Sequence, residues 1–415
     1  MSSGPIFRPP AVNAGTQPFV VRRGPGARTW RLVAAAGVAA LLLSACSKSA
    51  EPTASPASAP GTSVAGAGGT SSAASTPSGT RSTGAAPTTE VPAGDALPEP
   101  TVVTTDLKAP WGIAFLPNGD ALIPERDSGR ILQVPAGSNR AEGREVMTIG
   151  GVEPSGEGGL LGLAVSPKYA DDGLVYAYLT AADDNRIVRF AIGGEPQVIV
   201  KGIKKAAFHD GGRLAFGPDG KLYATTGDAG DRPLAQDKAS LNGKILRMEA
   251  DGSVPADNPF PGSLVYSWGH RNVQGITWDP SGRMWSAEFG QNTWDELNLI
   301  TAGGNYGWPD VEGKGGTDKG FIDPKVVWAT KDASPSGIAY WNGALYVGAL
   351  QGKCLWQIPI DGDGNTGDPV KLVEGHGRLR TPVVAKDGSL WVSTSNTDGR
   401  GTPQPGDDQV LRFAN

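Results

Sequence analysis

Residues 208–228 read FHDGGRLAFGPDGKLYATTGD, which is an apolar segment, a Pro-Asp-Gly turn and a second apolar segment. Short segments rich in Leu, Phe, Tyr and Thr on both sides of such a turn are typical of a β-hairpin. The hairpin is preceded by His209, one of three histidines in the chain. Because imidazole accepts a proton near neutral pH, His209 is a candidate general base. A structural histidine satisfied by loop hydrogen bonds explains the local pattern equally well.

The same hairpin pattern recurs along the chain at a spacing of about 50 residues, which is the period of propeller blades. Six copies follow one another: WGIAFLPNGDALIPER from Trp111, LLGLAVSPKYADDGLVYAYLT from Leu160, GRLAFGPDGKLYATTGD from Gly212, QGITWDPSGRMWSAEFG from Gln274, SGIAYWNGALYVGAL from Ser336 and TPVVAKDGSLWVSTSN from Thr381.

These repeats predict an all-β fold, a six-bladed β-propeller of four-stranded antiparallel blades. Six sheets packed radially bury their faces and leave only short edges, whereas a β-sandwich does not explain a six-fold repeat. We expect the first and last segments to share a blade and close the ring. Five dipeptides are predicted to form two-residue hairpin turns: Asn118-Gly119, Asp219-Gly220, Ser281-Gly282, Asn342-Gly343 and Asp387-Gly388.

The overall composition fits this architecture and limits the partners. Sixty glycines and 34 prolines favour many tight turns over long helices. The net charge of −5 is spread without long runs, so a nucleic-acid partner is not expected. Cys46 and Cys354 lie in unlike contexts and do not suggest a disulfide, and Cys354 is expected to be an inert buried thiol.

The first 98 residues carry addressing information. Arginines precede a short apolar run at residues 32–43, as in a signal peptide. The run ends in Leu-Ser-Ala-Cys, which resembles a bacterial lipobox, so residues 1–45 are predicted to be removed and Cys46 lipidated. An ordinary cleavage site is the alternative, and Arg22-Arg23 is weak evidence for twin-arginine export. Residues 46–98 are mostly Ser, Ala, Thr, Pro and Gly, which predicts a flexible tether to the outer face of the cell membrane. Residues 99–415 are then the propeller.

Polar loops between the strands are the candidates for a binding site, because such loops gather at the ends of a propeller channel. The segment YSWGHRNVQG places Arg271, Asn272 and Gln274 beside His270, and Arg271 could stabilise negative charge. A hydrogen-bonded corner between blades is an alternative role for His270 and Asn272.

Three further loops carry charged or oxygen-rich groups. The loop after Ala287 offers Glu288, Asp295, Glu296 and the carbonyls around Gly290, which suit a hard cation such as calcium. Arg378 and Arg380 alternate on one strand, so we expect them to share a face and to need an anion between them, unless they form a solvated patch. Glu157 lies in a glycine-rich turn that lacks the Lys-Ser/Thr of a P-loop.

Taken together, these motifs resemble the soluble pyrroloquinoline-quinone (PQQ)-dependent sugar dehydrogenases, the glucose/sorbosone or aldose sugar dehydrogenase family. The resemblance runs from about residue 98 to residue 415 and follows family order. It rests on EGGLLGLAVSP, HDGGRLAFGPDGKLY, SWGHRNVQG with AEFGQNTWDELNLI and GGNYGWP, SGIAYWNGALYVGAL, and GRLRTPVVAKDGSLWV.

The resemblance implies oxidation of a sugar at the anomeric carbon to a lactone by hydride transfer to the quinone. His209 matches the family's general base and Arg271 the arginine near the quinone and the reacting oxygen, with Asn272 and Gln274 as polar neighbours. Gly290 and Gln291 match the positions whose carbonyls hold calcium. Arg378 and Arg380 match the pair that binds the cofactor carboxylates.

Four positions depart from the better-known glucose enzymes of this family. Glu157 stands where they carry a glutamine, as in the aldose-type branch, and Gln351 stands where a lysine touches the cofactor. Thr381 replaces an aspartate, and Phe208 replaces an acidic neighbour of the base, which predicts a less well oriented His209. These departures leave open a binding propeller with weak or lost catalysis. A metal-dependent lactonase is a third possibility, but no convincing set of carboxylate and amide ligands supports it.

Overall fold

A computed structural model describes residues 96–415 of the chain. The predicted signal peptide, Cys46 and almost all of the tether lie outside these residues. No helix within residues 96–415 is long and apolar enough to cross a membrane. The helical elements there are α1 (Tyr169–Asp172) and two 3₁₀ turns, Arg232–Ala235 and Thr317–Lys319.

Within residues 96–415, twenty-four strands form six antiparallel sheets of four strands each, so the predicted six-bladed propeller is confirmed. A first strand, β1 (Thr101–Thr104), precedes blade 1. Blade 1 consists of β2 (Ala114–Phe115), β3 (Ala121–Pro124), β4 (Arg130–Val134) and β5 (Arg144–Thr148). Blade 2 consists of β6 (Leu160–Val165), β7 (Leu174–Thr180), β8 (Asn185–Ala191) and β9 (Gln197–Ile203). Blade 3 consists of β10 (Leu214–Phe216), β11 (Leu222–Thr225), β12 (Lys244–Met248) and β13 (Val265–Trp268).

Blades 4 to 6 continue in the same order. Blade 4 consists of β14 (Val273–Trp278), β15 (Met284–Glu288), β16 (Trp294–Ile300) and β17 (Val326–Ala329). Blade 5 consists of β18 (Pro335–Trp341), β19 (Ala344–Ala349), β20 (Cys354–Pro359) and β21 (Val370–Leu372). Blade 6 consists of β22 (Leu379–Val384), β23 (Leu390–Thr394), β24 (Val410–Phe413) and β1.

The ring closes through β1, as the sequence predicts. β1 pairs antiparallel with β24 and so supplies the fourth strand of blade 6, with Val102 opposite Leu411. The two ends of the propeller therefore share one sheet, and blade 6 has four hydrogen-bonded strands like the other five blades.

The hairpin turns differ from the prediction in four of the five cases. Only Asn342-Gly343 forms a two-residue loop, with Trp341 opposite Ala344 and positive φ at both loop residues. At the other four positions the paired residues enclose five residues, as between Phe216 and Leu222. Each longer loop still uses its glycine at positive φ, so the glycines are explained but the loop length was wrong.

Apolar side chains fill the space between neighbouring blades. Tyr176 and Tyr178 of β7, for example, pack with Leu222 and Ala224 of β11. This contact buries the sheet faces that a single blade would expose to water. Cys354 in β20 is buried, and burial raises the pKa of its thiol to about 12, as expected for an inert cysteine.

Candidate active site

A cavity of about 390 Å³ lies at the end of the channel where the innermost strands begin. All ten predicted site residues of the described chain line it, although they come from five blades. They are Glu157, His209, Arg271, Asn272, Gln274, Gly290, Gln291, Gln351, Arg378 and Arg380.

His209 is held at the cavity wall by two carboxylates. Its backbone adopts φ 63°, a left-handed conformation that few non-glycine residues adopt, and its N–H donates to Oε2 of Glu157 at 3.0 Å. Its ring Nδ1 lies 2.6 Å from Oδ1 of Asp228. A buried side chain with this backbone geometry is positioned by its surroundings.

Asp228 was not predicted, although it ends the quoted stretch. Its other oxygen accepts from the indole of Trp308 at 2.8 Å, and Gly230 donates to Oδ1 at 2.7 Å. Burial alone would raise the pKa of Asp228, but the hydrogen bonds from His209, Gly230 and Trp308 lower it overall. The carboxylate therefore stays ionised at neutral pH and accepts the Nδ1 proton, which leaves Nε2 of the neutral ring as the acceptor.

The expectation that Phe208 loosens His209 is not supported by this geometry. Asp228 supplies an orienting carboxylate from the far end of the hairpin, so an acidic neighbour is not needed. Phe208 instead packs against the imidazole edge to face, with ring centroids 4.7 Å apart, and remains 45% exposed at the cavity mouth.

Glu157 connects three parts of the site. Besides the bond from His209, its Oε2 accepts from Nδ2 of Asn272 at 3.3 Å, and its Oε1 lies 3.2 Å from Nη2 of Arg400. Since Arg400 is largely exposed, this ion pair bridges the mouth of the cavity and contributes little to stability by itself.

Arg271 also lines the cavity and is oriented by its own loop. Its Nη2 and Nε donate to the side-chain oxygen of Gln291 at 2.9 and 3.1 Å, and Nη1 donates to the carbonyl of Phe289. The guanidinium also lies 5.5 Å from the ring centroid of Trp308. Burial lowers the pKa of Arg271, yet an arginine remains charged at neutral pH.

His270 has the structural role that was left open for it. The ring is fully buried, bonds to Glu288 through Nδ1 at 2.9 Å and to Ser267 through Nε2 at 2.8 Å, and stacks on Tyr306. Asn272, by contrast, lines the cavity. Its Oδ1 accepts from the amide of Gly211 at 3.0 Å, so it links the blade 4 loop to the His209 loop.

Arg378 and Arg380 share a face, as predicted, but the anion between them belongs to the chain. Oδ2 of Asp398 accepts from both guanidinium groups, at 3.0 Å from Arg378 and 3.3 Å from Arg380. An external ligand is therefore not required to relieve their repulsion. One positive charge of the pair remains uncompensated by Asp398. Burial lowers the pKa of Arg380 to about 10, so Arg380 stays charged at neutral pH.

Gln274 lies beside the arginine pair. Its side-chain oxygen accepts from Ser336 at 2.9 Å and from Nη1 of Arg380 at 3.3 Å. Thr381 faces away from this cavity, because its hydroxyl donates to the carbonyl of Trp111 at 2.8 Å. Gln351 lines the cavity, and no described residue hydrogen-bonds its side chain.

The loop at Gly290 and Gln291 is fixed through its amides. Gly290 donates to Asp295 at 2.8 Å and Gln291 donates to Glu312 at 2.8 Å. Their two carbonyl oxygens accept no hydrogen bond from residues 96–415. Of the three acidic residues expected here, only Asp295 lines the cavity, and burial raises its pKa to about 7.

The other two acidic residues serve the loop scaffold. Glu288 accepts from the ring of His270, and Glu296 accepts from the amide of Gly313 at 2.7 Å and from Asn298 at 3.0 Å. Burial, together with the charge of Glu288, raises the pKa of Glu296 well above its usual value. Glu288 and Glu296 were therefore wrongly expected to provide ligand oxygens at the cavity.

Comparison with known proteins agrees with this geometry. The sequence model of the Glucose / Sorbosone dehydrogenase family matches residues 107–403. The chain belongs to this family. The PQQ-bound form of an aldose sugar dehydrogenase from Streptomyces coelicolor is 53% identical, with a TM-score of 0.72 over 75% of this chain and 95% of that one.

Two curated relatives support the same family membership. The aldose sugar dehydrogenase YliI of Escherichia coli is 28% identical over 72% of this chain and 90% of its own length. Quinoprotein glucose dehydrogenase B of Acinetobacter calcoaceticus is 32% identical, over 51% of this chain and 52% of its own length. The chain is thus a sugar dehydrogenase-type propeller with an oxidoreductase role.

Proposed function

We propose that the chain oxidises an aldose at the anomeric carbon to the lactone, with PQQ and calcium as cofactors. The observation that carries this proposal is the Asp228–His209 pair, which presents a proton acceptor at the wall of a cavity rich in guanidinium groups. An orienting carboxylate, an imidazole and a nearby arginine suit removal of a hydroxyl proton.

The residues present fit an anionic cofactor. Five arginines but only three carboxyl groups line the cavity, so it attracts a polycarboxylate; they are Arg126, Arg271, Arg378, Arg380 and Arg400 against Glu157, Asp295 and Asp398. Arg378 and Arg380 would bind the carboxylates of PQQ, with Asn272, Gln274 and Gln351 as neutral hydrogen-bonding neighbours. The PQQ-bound relative supports this assignment.

The Gly290–Gln291 loop fits a hard cation. Its two carbonyl oxygens are unused by the described residues, and calcium prefers oxygen ligands. No group of three or more His, Cys, Asp or Glu side chains suited to a metal occurs in residues 96–415, so backbone carbonyls would provide much of the coordination.

In the proposed reaction, Nε2 of His209 takes the proton of the anomeric hydroxyl. Asp228 holds the ring in the required tautomer and stabilises the imidazolium that forms. Arg271 stabilises the negative charge that develops on the substrate oxygen. PQQ, when bound, supplies the acceptor for the hydride that leaves the anomeric carbon. The products are then the lactone and the two-electron-reduced cofactor.

Steady-state kinetics of His209→Ala test this assignment. We expect the full chain with calcium and PQQ to reduce an artificial acceptor when given aldoses. The variant should lose about 10²–10⁴-fold in kcat, because a positioned base contributes this much. A quinone titration followed by absorbance should give the same Kd for both proteins. Unchanged turnover in the variant would exclude His209 as the base.

We further propose that lipidation of Cys46 anchors the mature chain at the outer face of the cell membrane. The lipobox-like sequence supports this, since acyl chains gain about 0.8 kcal/mol per buried methylene. When cells are fed radiolabelled palmitate, the label should be incorporated into the isolated parent chain and not into the isolated Cys46→Ser variant. Equal labelling of the two would contradict the anchor.

A further inference from the structure

A second cavity, of about 440 Å³, occupies the other end of the central channel. Its walls come from the later residues of the innermost strands, whereas the first cavity lies where these strands begin. The two cavities share no lining residue. Most of the lining residues have apolar or aromatic side chains, including Phe115, Val165, Phe216, Trp278, Tyr340 and Val384, although polar atoms, many of them in the backbone, form more than half of the exposed lining surface.

Arg213 is the only charged side chain among the described residues that line this second cavity. It is only 8% exposed. Its Nε donates to the carbonyl of Gln274 at 2.8 Å, and Nη2 donates to the hydroxyl of Thr381 at 3.2 Å. Nη1 makes no hydrogen bond to any residue between 96 and 415. The guanidinium therefore keeps unused donors beside a cavity whose lining side chains are mostly apolar.

The charge of Arg213 is also uncompensated. No carboxylate of the described chain forms an ion pair with it, and its guanidinium stacks 4.3 Å from the ring centroid of Trp111, whose other neighbour is Arg380 at 5.8 Å. Burial and the like charge of Arg380 lower the pKa of Arg213 to about 9, so it remains charged at neutral pH. A buried charge without an opposite charge is costly, and an incoming anion would offset that cost.

We propose that this second cavity is a binding site for a monocarboxylate with an apolar chain. The carboxylate contacts Arg213, and the chain packs against the apolar side chains of the six innermost strands. A guanidinium with free donors is suited to a carboxylate, and the wall is suited to hydrocarbon. A phosphate dianion fits less well, because the other polar side chains on the lining are the uncharged Thr277, Thr381, Tyr340 and Trp278, which would leave its second charge unpaired.

Trp111 and Arg213 form the partition between the two cavities. Trp111 lines the first cavity, Arg213 lines the second, and the two side chains are stacked on each other. The proposed ligand therefore enters from the face opposite to the candidate active site. Its binding does not depend on the quinone or on the proposed oxidation.

Octanoate is the probe, titrated by calorimetry into the full chain without added quinone. We expect saturable binding, with octanol and acetate each at least about tenfold weaker because one lacks the charge and the other the chain. No heat of binding up to about 10 mM octanoate, the weak limit of a specific site, would overturn the proposal.

Val384 provides the variant that tests the location. It is 37% exposed at the second cavity, so Val384→Asp should fold, and its carboxylate should weaken octanoate binding by about tenfold or more through like-charge repulsion. Val198→Asp is the matched control, because Val198 is 42% exposed on β9 and lines neither cavity. Equal octanoate affinity in both variants would place the ligand elsewhere and overturn the proposal.

Arg213→Gln tests the anion contact directly. If it folds, as judged by its thermal transition, it should bind octanoate no more tightly than octanol. A retained preference for octanoate would exclude Arg213 as the anion site. Should this variant fail to fold, the Val384→Asp and Val198→Asp comparison still decides the question.

Discussion

Asp228 is the residue whose role is most directly testable. In Asp228→Asn, the ring of His209 loses its ionised partner, so we expect kcat to fall by about 10²–10⁴-fold, as when an orienting carboxylate is removed from a catalytic histidine. KM and quinone affinity should change little, because Asp228 does not line the cavity. Asp231→Asn is the matched control, since Asp231 lies on the same loop and makes an exposed ion pair with Lys204.

Two outcomes would contradict a positioning role for Asp228. Activity equal to that of the parent would mean that Asp228 does not orient the base. A loss of activity with an equal loss in Asp231→Asn would mean that the loop, rather than the carboxylate, matters.

Asp398 supplies the negative charge that lies between Arg378 and Arg380. Its pKa is lowered, because the two arginines and nearby hydrogen bonds outweigh the opposing effect of burial. A carboxyl group with a lowered folded-state pKa stabilises the fold above its unfolded pKa, and this stability is lost as pH falls through the folded pKa. In Asp398→Asn, we expect the free energy of unfolding to fall by about 1–3 kcal/mol at pH 7.

The same variant should change cofactor binding in the opposite direction. Without its internal anion, the arginine pair attracts a polycarboxylate more strongly, so quinone affinity should rise about threefold to tenfold at low ionic strength and depend more steeply on salt. Urea unfolding from pH 3 to pH 7 and quinone titrations at two salt concentrations provide the measurements. Weaker binding at low salt would show that Asp398 acts mainly by positioning the arginines.

Residue types and spacing, together with the family resemblance, indicated the cavity side chains but not the groups that hold them. His209, Arg271 and the arginine pair lie in motifs that stand out locally. Asp228 and Asp398 become partners only when strands pair, 19 residues from His209 and 18 residues from Arg380. Nothing in the local pattern distinguishes these aspartates from the many others that end a strand.

At the scale of the element, the glycine-rich turn before β6 positions Glu157. Gly156 adopts φ 60°, and a Cβ on it would lie 1.9 Å from the carbonyl oxygen of Ala207. Gly156→Ala must therefore move the turn and displace Glu157 from His209. We expect a loss of more than about 3 kcal/mol in unfolding free energy, well beyond the cost of positive φ alone.

Gly151→Ala is the control for backbone conformation. Gly151 also has positive φ, at 76°, but nothing lies within 4 Å of its hypothetical Cβ. Its replacement should cost about 1 kcal/mol. Equal urea midpoints for the two variants would show that the close approach at Ala207 does not constrain the turn.

The hairpins show where pattern reading is limited at this scale. Strand positions followed from apolar alternation, because each strand must bury residues between blades. Loop length did not, since a glycine at positive φ is required both in a two-residue turn and near the end of a five-residue loop. Only the strand register at Trp341 and Ala344 distinguishes the shorter turn.

At the scale of the whole molecule, the repeat count alone predicts the architecture, because six short sheets have few other ways to bury their faces. The partition of the channel by Trp111 and Arg213 was not predictable. It depends on two side chains from different blades meeting at the axis, and neither carries a motif of its own.

Ring closure by β1 and β24 can be tested with an engineered disulfide between the two strands. Thr101 lies directly opposite Arg412, where antiparallel Cα atoms are about 4.5–5.5 Å apart, within range for a disulfide. In the double variant Thr101→Cys/Arg412→Cys, made in a Cys46→Ser background, oxidation should join the two ends of the propeller. The buried Cys354 does not compete for the pairing.

We expect the oxidised form to gain about 3–5 kcal/mol in unfolding free energy, because the bridge closes a very long loop and so restricts the unfolded chain. Urea unfolding with and without reductant measures the gain, and the single variant Thr101→Cys should show none. An oxidised protein with the same midpoint as the reduced one would mean that β1 separates from β24 without loss of the remaining blades. The six blades would then not unfold as one unit, and ring closure would stabilise only blade 6.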